Sequence, residues 1–234
     1  MKVLALDTSS NVLSIAILED QKLIAEYFLN HKKTHSRKLI PAIIKILKDI
    51  ELLPRDIDIF SASVGPGSFT GVRIGVTVTK SLAYSFKKPV VSVNTLDALA
   101  NNVLINDTVI CPIINARNEQ VYTAIYLRNN KKVERISDYK GMSIHDFLIE
   151  VKNQKRNAVF LGDGIFIHKE LIKDALGKKC SFMPAFLNMQ RASCVAQIAL
   201  TKASKGHKEN CFEMVPFYLR KSQAERMYEE NKKE

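Results

Sequence analysis

The sequence lacks tryptophan, long apolar runs and closely spaced cysteines. Its four cysteines, Cys111, Cys180, Cys194 and Cys211, show no CxxC spacing, which excludes the usual zinc ribbons and dithiol redox motifs. No apolar stretch approaches the roughly 20 residues that cross a bilayer, and the apolar run at the amino terminus is too short for a secretory signal. We therefore expect a cytoplasmic protein with reduced thiols, no metal centre and no membrane contact.

Acidic residues are the minority among the charged side chains. The chain has 24 of them against 35 lysines and arginines, which gives a formal net charge of +11. Such a field attracts polyanions and makes association with nucleic acid salt-sensitive. The charge permits nucleic-acid binding, but without an aromatic-rich single-strand motif it does not identify the partner.

Glycine is scarce, yet four of the nine glycines fall within the stretch SVGPGSFTGVRIG at residues 63–75. The stretch follows an apolar strand, IDIFSASV, and opens a helix predicted from about Ser68 to Phe86. Free N–H groups at such a junction can receive a phosphate, so Gly65, Gly67 and Ser68 form a candidate anion loop. The stretch matches neither the Lys-Ser/Thr ending of a P-loop nor GxGxxG.

Packing is the favoured alternative for these glycines. Gly71, Gly75 and Thr79 recur every four residues and form a stripe of small side chains along the helix. An interior glycine costs a helix about 1 kcal/mol relative to alanine, a cost best offset where another helix approaches closely. We expect a helix that is buried on two sides.

The first hundred residues predict a ribonuclease-H-like lobe. Three short apolar runs, KVLAL, VLSIAIL and LIAEYFL, indicate an antiparallel meander. A helix from about residue 34 has more than one apolar face, because Ile40 and Ile44 widen the stripe that contains Leu39 and Leu47. Pro41 requires either a helix that begins shortly before it or a kink. Strand, helix, strand and helix then follow.

The second half repeats the pattern of the first, with Asn115 at the place of Asp7. We predict a first lobe at residues 1–105, a smaller second lobe at 106–216 and a charged, frayed tail at 217–234. Beyond residue 142 the sequence indicates helices at SIHDFLIEV and SCVAQIALTKAS and a strand at AVFLGDG. Asp7 is expected to bond the N–H groups of its own turn, as an aspartate after a strand commonly does.

His31 and His35 in HKKTH are four residues apart and could chelate a metal if they were helical. Thr34 and Ser36 are typical cap residues, which would leave His31 in the loop before the helix. No glutamate completes an HExxH motif. A solvated basic entry to the helix is the favoured interpretation.

Six motifs together resemble the TsaB (YeaZ) family: LALDTS, HSRKLIPAI, SVGPGSFTGVRIG, VSVNTLDALA, NARNEQVYTAIY and PFYLRKSQAE. The resemblance covers residues 4 to about 225. It implies an α/β, actin-like (ASKHA) ATPase fold of two ribonuclease-H-like lobes, the second of them degenerate. The roles of Arg117, Glu119, Tyr122, Tyr218 and Arg220 stay open between surface packing and contact with a partner or tRNA.

The resemblance also implies a function. TsaB proteins resemble the TsaD transferases, which form N6-threonylcarbamoyladenosine (t6A) at position 37 of tRNA and bind a catalytic metal through an Asn-His-x-x-x-His stretch. Here Thr95 and Leu99 stand at the two histidine positions, and neither supplies a nitrogen ligand. The resemblance therefore implies a non-catalytic subunit without its own cofactor, which activates a TsaD-type transferase together with a TsaE-type ATPase and self-associates when alone.

By the same resemblance, the first two helices form a helical interface with the transferase. The predicted interface residues are Ile40, Ile44, Leu47, Gly71, Gly75 and Thr79. Three alternatives stay open: an autonomous ATP-dependent enzyme of the sugar-kinase type, a metallopeptidase-like protein and a free-standing tRNA-binding module. The absence of a glycine after Asp7 argues against the first, and Thr95 and Leu99 argue against the second.

Overall fold

The computed structural model describes residues 1–31, 35–129 and 132–220. A first sheet has the strand order β3-β2-β1-β4-β5, with β1 to β3 antiparallel and β4 and β5 parallel to β1. The antiparallel meander of β1 to β3 is as predicted. The strands are β1 (Lys2–Asp7), β2 (Val12–Glu19), β3 (Lys22–Asn30), β4 (Ile59–Ser63) and β5 (Val90–Val93).

Two helices cover one face of this sheet, α1 (His35–Asp49) and α2 (Phe69–Phe86). Their apolar sides share one core cluster with the inward residues of β1 and β2. The helix α1 begins six positions before Pro41 and runs through it. The helix α2 begins as predicted, because the Ser68 hydroxyl accepts a hydrogen bond from the Gly71 N–H at 3.2 Å and caps the first turn.

A second sheet repeats the first in strand order and direction. Its path is β10-β7-β6-β11-β12, with β6 at the place of β1. The repeat is degenerate because β7 and β8 divide one antiparallel neighbour of β6 between them. The strands are β6 (Val109–Asn115), β7 (Gln120–Thr123), β8 (Tyr126–Asn129), β9 (Lys132–Arg135), β10 (Lys140–Ser143), β11 (Ala158–Leu161) and β12 (Cys180–Phe182).

Helices α4 (Ile144–Asn153) and α5 (Ile165–Leu176) pack on one face of the second sheet. They hold the positions that α1 and α2 hold in the first lobe. The helix α4 and strand β11 match the predicted segments, whereas α5 and β12 were not predicted. The pattern of a duplicated lobe is confirmed by the topology.

Each repeat ends in a helix that packs on the sheet of the other. Helix α3 (Thr95–Ala100) follows β5, yet Leu96 and Leu99 lie in a core cluster with the second sheet. Helix α6 (Ala192–Ser204) follows β12 and packs on the outer face of the first sheet. Within the predicted lobes of 1–105 and 106–216, α6 thus belongs to the second by sequence and packs on the first sheet, and α3 joins the first lobe to the second.

The chain then returns to the first lobe before it reaches the predicted tail. Glu209 pairs with Val90 at the edge of β5, and the Phe217 N–H donates to the Val64 carbonyl at 2.7 Å. Residues 217–220 are thus bound to the body of the protein. The rest of the predicted frayed tail, from residue 221, lies outside the described residues.

Among the helices of the described residues, none has the length and apolar character of a membrane span.

His168 supplies a pH prediction for the second lobe. Its side chain is 6% exposed on α5, and its Nε2 has no hydrogen-bond partner among the described residues. Burial lowers the pKa of His168 below its usual 6.5, and the nearby charge of Glu119 opposes that shift. The unfolded chain therefore binds the proton more tightly, so stability falls as the pH drops below about 6.5.

We expect His168→Phe, which keeps the ring but cannot be protonated, to lose less stability than the wild type between pH 7 and pH 5. Urea unfolding at several pH values measures this difference. His207→Phe, a change at an exposed histidine, is the matched control. Equal pH dependence in the wild type and His168→Phe would contradict the assignment.

Candidate functional site

The glycines of residues 63–75 are required by close approaches within the chain itself. A Cβ on Gly71 would lie 2.1 Å from the Thr8 carbonyl oxygen, and one on Gly67 would lie 2.3 Å from that of Ser9. At Gly65, where φ is +115°, a Cβ would lie 2.4 Å from the Phe217 carbonyl oxygen. Packing is therefore the reason for these glycines, but the neighbours are the turn after β1 and the carboxy-terminal segment, not another helix.

Hydrogen bonds fix the turn after β1 against the start of α2. The Thr8 hydroxyl donates to the Gly71 carbonyl at 2.7 Å, and the Ser68 N–H donates to the Ser9 carbonyl at 2.7 Å. The same turn is held on its other side, where the Ser10 hydroxyl donates to Gln190. Hydrogen bonds on both sides thus hold the turn after β1 in place.

Asp7 is fully buried beneath this turn. Its Oδ1 accepts hydrogen bonds from the N–H and the hydroxyl of Ser9, and its Oδ2 accepts one from the Ser63 hydroxyl. Burial raises the pKa of the Asp7 carboxyl, and the bonds from Ser63 and Ser9 act against that shift. The geometry matches the predicted structural role, because the carboxylate bonds the Ser9 N–H of its own turn.

The helices α1 and α2 leave an apolar outer side, which we call the α1/α2 face. On α1, Ile40 and Ile44 are 43% and 62% exposed, and on α2, Tyr84 is 65% exposed. Tyr84 contacts Phe212, with their ring centroids 5.7 Å apart. Because both helices pack on the same side of the first sheet, both outer sides are directed away from that sheet.

Four of the six predicted interface residues lie elsewhere. Leu47, Gly71, Gly75 and Thr79 are buried inside the first lobe. Leu47 belongs to the sheet-facing stripe of α1, and a Cβ on Gly75 would lie 2.4 Å from Thr8 Oγ1. The small-residue stripe of α2 therefore faces the protein's own β1 turn, and of the six only Ile40 and Ile44 remain as surface residues for a partner.

The segment at the place of the TsaD metal motif has a different structure here. Thr95 and Leu99 are both fully buried, and a hydroxyl and an isobutyl group do not fit a metal that is bound by imidazoles. Between them, Asp97 accepts hydrogen bonds of 2.8 Å from the hydroxyls of Tyr126 and Tyr139. Burial and this carboxylate raise the pKa of both tyrosines, so the network stays protonated and joins α3 to the second lobe.

The HKKTH segment does not form a helical chelate among the described residues. His31 lies exposed before α1, and residues 32–34, which include the predicted cap Thr34, lie outside the described residues. His35 instead lies within hydrogen-bond distance of the Ser10 carbonyl, with its Nε2 2.7 Å away. In the part of the chain that the structure describes, no group of three or more metal-binding side chains occurs.

A cleft of about 440 Å³ lies between the lobes, and we call it the interlobe cleft. Both lobes and the carboxy-terminal segment contribute to its wall. Only part of the candidate anion loop lines the cleft. Gly67 and Ser68 are lining residues, whereas the space beside Gly65 is filled by Phe217. The lining residues are Ser9, Ser10, Asn11, Pro66, Gly67, Ser68, Phe69, Thr70, Ile114, Asn115, Ala116, Arg117, Tyr122, Asp163, Phe217, Tyr218, Leu219 and Arg220.

The carboxy-terminal segment crosses the mouth of this cleft. Tyr218 stacks on Phe69 with ring centroids 4.7 Å apart, and its hydroxyl accepts a 2.8 Å hydrogen bond from Arg73. Arg220 donates to the Ala116 carbonyl at 3.3 Å and so reaches the second lobe. The sequence placed Tyr218 and Arg220 in a motif, but it carried no signal for these long-range contacts.

Comparisons with known proteins relate this chain to TsaD and TsaB proteins. A family model described as TsaD, tRNA N6-adenosine threonylcarbamoyltransferase, matches residues 22–228. The tRNA threonylcarbamoyladenosine biosynthesis protein TsaB of Bacillus subtilis is 37% identical over 233 residues, which cover 100% of both chains.

Two solved structures support the fold. A Pseudomonas aeruginosa protein described as similar to the peptidase YeaZ has a TM-score of 0.80 at 22% identity, over 94% of this chain and 99% of that one. Component A of the Acidaminococcus fermentans (R)-2-hydroxyglutaryl-CoA dehydratase has a TM-score of 0.53 at 12% identity, over 87% of this chain and 99% of that one. The two-lobed sheet topology is that of the actin-like ATPase fold, and the chain belongs to the TsaB (YeaZ) family.

Proposed function

We propose that this chain is a non-catalytic subunit in the formation of t6A on tRNA. It binds a TsaD-type transferase through the α1/α2 face and acts together with a TsaE-type ATPase. The family supports the pathway, since the Bacillus subtilis relative is named for threonylcarbamoyladenosine biosynthesis. The observation that carries the partner role is the exposure of apolar side chains on the outer sides of α1 and α2, namely Ile40, Ile44 and Tyr84.

An exposed apolar patch on a soluble protein commonly marks an interaction surface. Here Ile40 and Ile44 lie one helical turn apart, so their side chains share one stripe of α1. The adjacent outer side of α2 adds the Tyr84 ring, and Phe212 of the returning chain extends it with 70% of its own surface exposed. A facing helix pair with apolar side chains fits such a layer.

The absence of catalysis in our proposal rests on three residues, Thr95, Leu99 and Asp7. Thr95 and Leu99 are buried at the places where the resemblance puts metal ligands. Asp7 bonds to Ser9 and Ser63 and is not among the residues that line the interlobe cleft. These arrangements favour an activating subunit over the metallopeptidase-like and autonomous ATP-dependent alternatives.

Self-association belongs to the same proposal. Without its partner, the α1/α2 face is expected to be covered by a second copy of the chain, because this returns the two isoleucines to an apolar environment. The transferase and the second copy then compete for one surface.

The net charge of +11 favours additional contact with tRNA within the complex. The salt dependence of tRNA binding measures this contribution.

Changing Ile40 and Ile44 together to glutamate tests the interface. The double variant places two charges in the apolar contact, and we expect at least about tenfold weaker binding of the transferase, equivalent to about 1.4 kcal/mol. The same variant is expected to shift the isolated chain toward the monomer. Titration calorimetry with purified TsaD and light scattering of the chain alone measure the two effects.

The matched control is Ile136→Glu with Ile149→Glu, because these isoleucines are exposed to similar degrees, 45% and 58%, on the second lobe. The control adds the same charge and is expected to leave TsaD affinity within about twofold of the wild type. Equal weakening by both pairs, or by neither, contradicts the α1/α2 interface. Both double variants lie on the surface, so loss of the fold is not expected and circular dichroism verifies this.

A further inference from the structure

A group of basic side chains lies at the edge of the second sheet where β11 and β12 begin. Ala158 of β11 lies opposite Cys180 of β12 in parallel register, and neighbouring strands are about 4.8 Å apart. The segments that lead into the two strands therefore emerge side by side. We call their basic residues the basic edge, which consists of Lys152, Lys155, Arg156, Lys178 and Lys179.

The local structure brings these five residues to the surface. Lys152 lies in the last turn of α4, and its carbonyl accepts a 3.1 Å hydrogen bond from the Lys155 N–H. Lys155 has φ of +54°, which ends the helical turn, and the chain then leads through Arg156 into β11. Lys178 and Lys179 belong to a short 3-10 turn directly before β12. All five residues are exposed.

Acidic side chains do not neutralise the basic edge. No aspartate or glutamate occurs in residues 151–162 or 175–208. Among the described residues, none of the five cations has a carboxylate within 4 Å. The exposed acids that flank these segments are Asp107, which precedes β6, and Asp174, which lies in the last turn of α5. The edge therefore has an excess of positive charge.

Helix capping accounts for only one of these residues. A lysine in the last turn of a helix is stabilised by the helix dipole, and this explains Lys152. The other four residues lie beyond the last residues of α4 and α5. Because like charges that are held close together repel one another, a polyanion that contacts several of them at once would be bound favourably.

The polar neighbours of the basic edge favour RNA over a lipid surface. Asn153, Asn157 and Ser181 are exposed beside the basic residues, and such side chains commonly bond phosphate and sugar oxygens. Stable contact with a membrane surface uses apolar side chains in addition to charge. Residues 152–157 and 177–181 contain no large apolar residue.

We propose that the basic edge binds the phosphate backbone of tRNA. The identity of this RNA rests on the proposed function, whereas the charge and the polar neighbours point to an RNA backbone independently of it. The contact depends on backbone charge and not on base sequence. Since the basic edge belongs to the second lobe and the α1/α2 face to the first, the transferase and the tRNA contact different surfaces of this chain.

Fluorescence anisotropy of labelled, unmodified tRNA with the full chain tests the contact. We expect a dissociation constant of about 1–100 μM near physiological salt, which is typical of backbone contacts. The quadruple variant Lys155→Asn, Arg156→Gln, Lys178→Gln and Lys179→Gln is expected to bind at least about tenfold more weakly. Its salt dependence is expected to decrease by about one unit of logarithmic slope for each phosphate contact that is lost. Asparagine suits position 155, because it tolerates positive φ.

The matched control is Lys22→Gln, Arg55→Gln, Lys87→Asn and Lys205→Gln. It removes the same charge at four exposed residues away from the basic edge, and Lys87 matches Lys155 because its φ is +52°. The control lowers only the general field of the protein, so we expect it to weaken tRNA binding by less than about threefold. Thermal melts show whether each variant is folded, and pairs of the same changes replace any variant that is not.

No tRNA binding by the folded wild type, or equal loss in the two quadruple variants, overturns the proposal. Binding of phosphatidylserine vesicles without binding of tRNA overturns it in favour of a lipid surface. Titration calorimetry with TsaD separates this proposal from the proposed function, because the basic-edge variant is expected to bind TsaD as the wild type does. If the basic edge binds tRNA but the chain does not bind TsaD, only the proposed function fails. If the chain binds TsaD but the basic-edge variant retains full tRNA binding, only the basic edge fails.

Discussion

Alanine at Gly71 is expected to lower the free energy of unfolding by about 3 kcal/mol, at the upper end of the usual cost of overpacking. The added Cβ would lie 2.1 Å from the Thr8 carbonyl oxygen. That oxygen belongs to the backbone of a turn that two further hydrogen bonds hold against α2. Either the helix or the turn must move, and both belong to the wall of the interlobe cleft.

Alanine substitutions at two other glycines are expected to cost less stability than Gly71→Ala. Gly75→Ala meets the hydroxyl of Thr8, which is the end of a side chain. Rotation of Thr8 relieves this contact but breaks its hydrogen bond to the Gly71 carbonyl, so the expected loss is about 1–2 kcal/mol. Gly141→Ala meets side-chain atoms at ordinary distances of 3.4 Å and is expected to change stability by less than about 0.5 kcal/mol. Urea unfolding ranks the three, and equal losses at Gly71 and Gly141 would contradict the close-approach explanation.

Asp7→Ala is expected to cost about 3 kcal/mol at neutral pH. The change removes the acceptors for the N–H and hydroxyl of Ser9 and the hydroxyl of Ser63, all in a fully buried place. Each buried donor without a partner costs about 1–3 kcal/mol. Asp49→Ala, at an exposed carboxylate paired with Lys45, is the control with an expected cost of at most about 0.5 kcal/mol.

The pH dependence gives a second measure of Asp7. Because the pKa of Asp7 is raised in the folded protein, the native state binds the proton more tightly than the unfolded chain. Its contribution therefore falls as the pH rises through the interval above the ordinary value of 3.8. We expect the stability difference between the wild type and Asp7→Ala to be larger near pH 4 than near pH 7. A stability difference that grows as the pH rises would contradict a raised pKa of Asp7 in the folded protein.

The two sheets could be predicted because their signals are local. Short apolar runs separated by polar turns define β1 to β3, and the same pattern recurs at β6 and β7 with Asn115 in place of Asp7. The start of α2 was also predictable, since Ser68 is a typical cap before a helical stretch. Repetition in the sequence thus corresponds to repetition in the topology.

The long-range packing contacts of the helices could not be predicted from the same patterns. The helix α6 was predicted from its alanine-rich stretch, but that stretch does not indicate that the helix packs on the first sheet. In the same way, the periodicity of Gly71 and Gly75 indicates a close neighbour without identifying Thr8. Such contacts join residues that are far apart in the chain, and apolar periodicity records only that a face is buried.

The division of the α1 residues has the same physical origin. Ile40, Ile44 and Leu47 form one broad apolar surface in the sequence, and only the direction of the sheet decides which side faces inward. Leu47 packs on the sheet, whereas Ile40 and Ile44 remain exposed. The excess apolar surface was visible in the sequence, and the structure assigns its outer part to solvent in the isolated chain.

Reconstitution of t6A formation on unmodified tRNA tests the central claim most directly. The reaction contains TsaD, TsaE and a separately prepared threonylcarbamoyl adenylate, with and without this chain, beside a reaction that contains this chain alone. Our account predicts modification only when TsaD and this chain are both present, none from this chain alone, and a reduced rate with Ile40→Glu/Ile44→Glu. Modification at the full rate without this chain, or modification by this chain alone, would contradict a non-catalytic activating subunit.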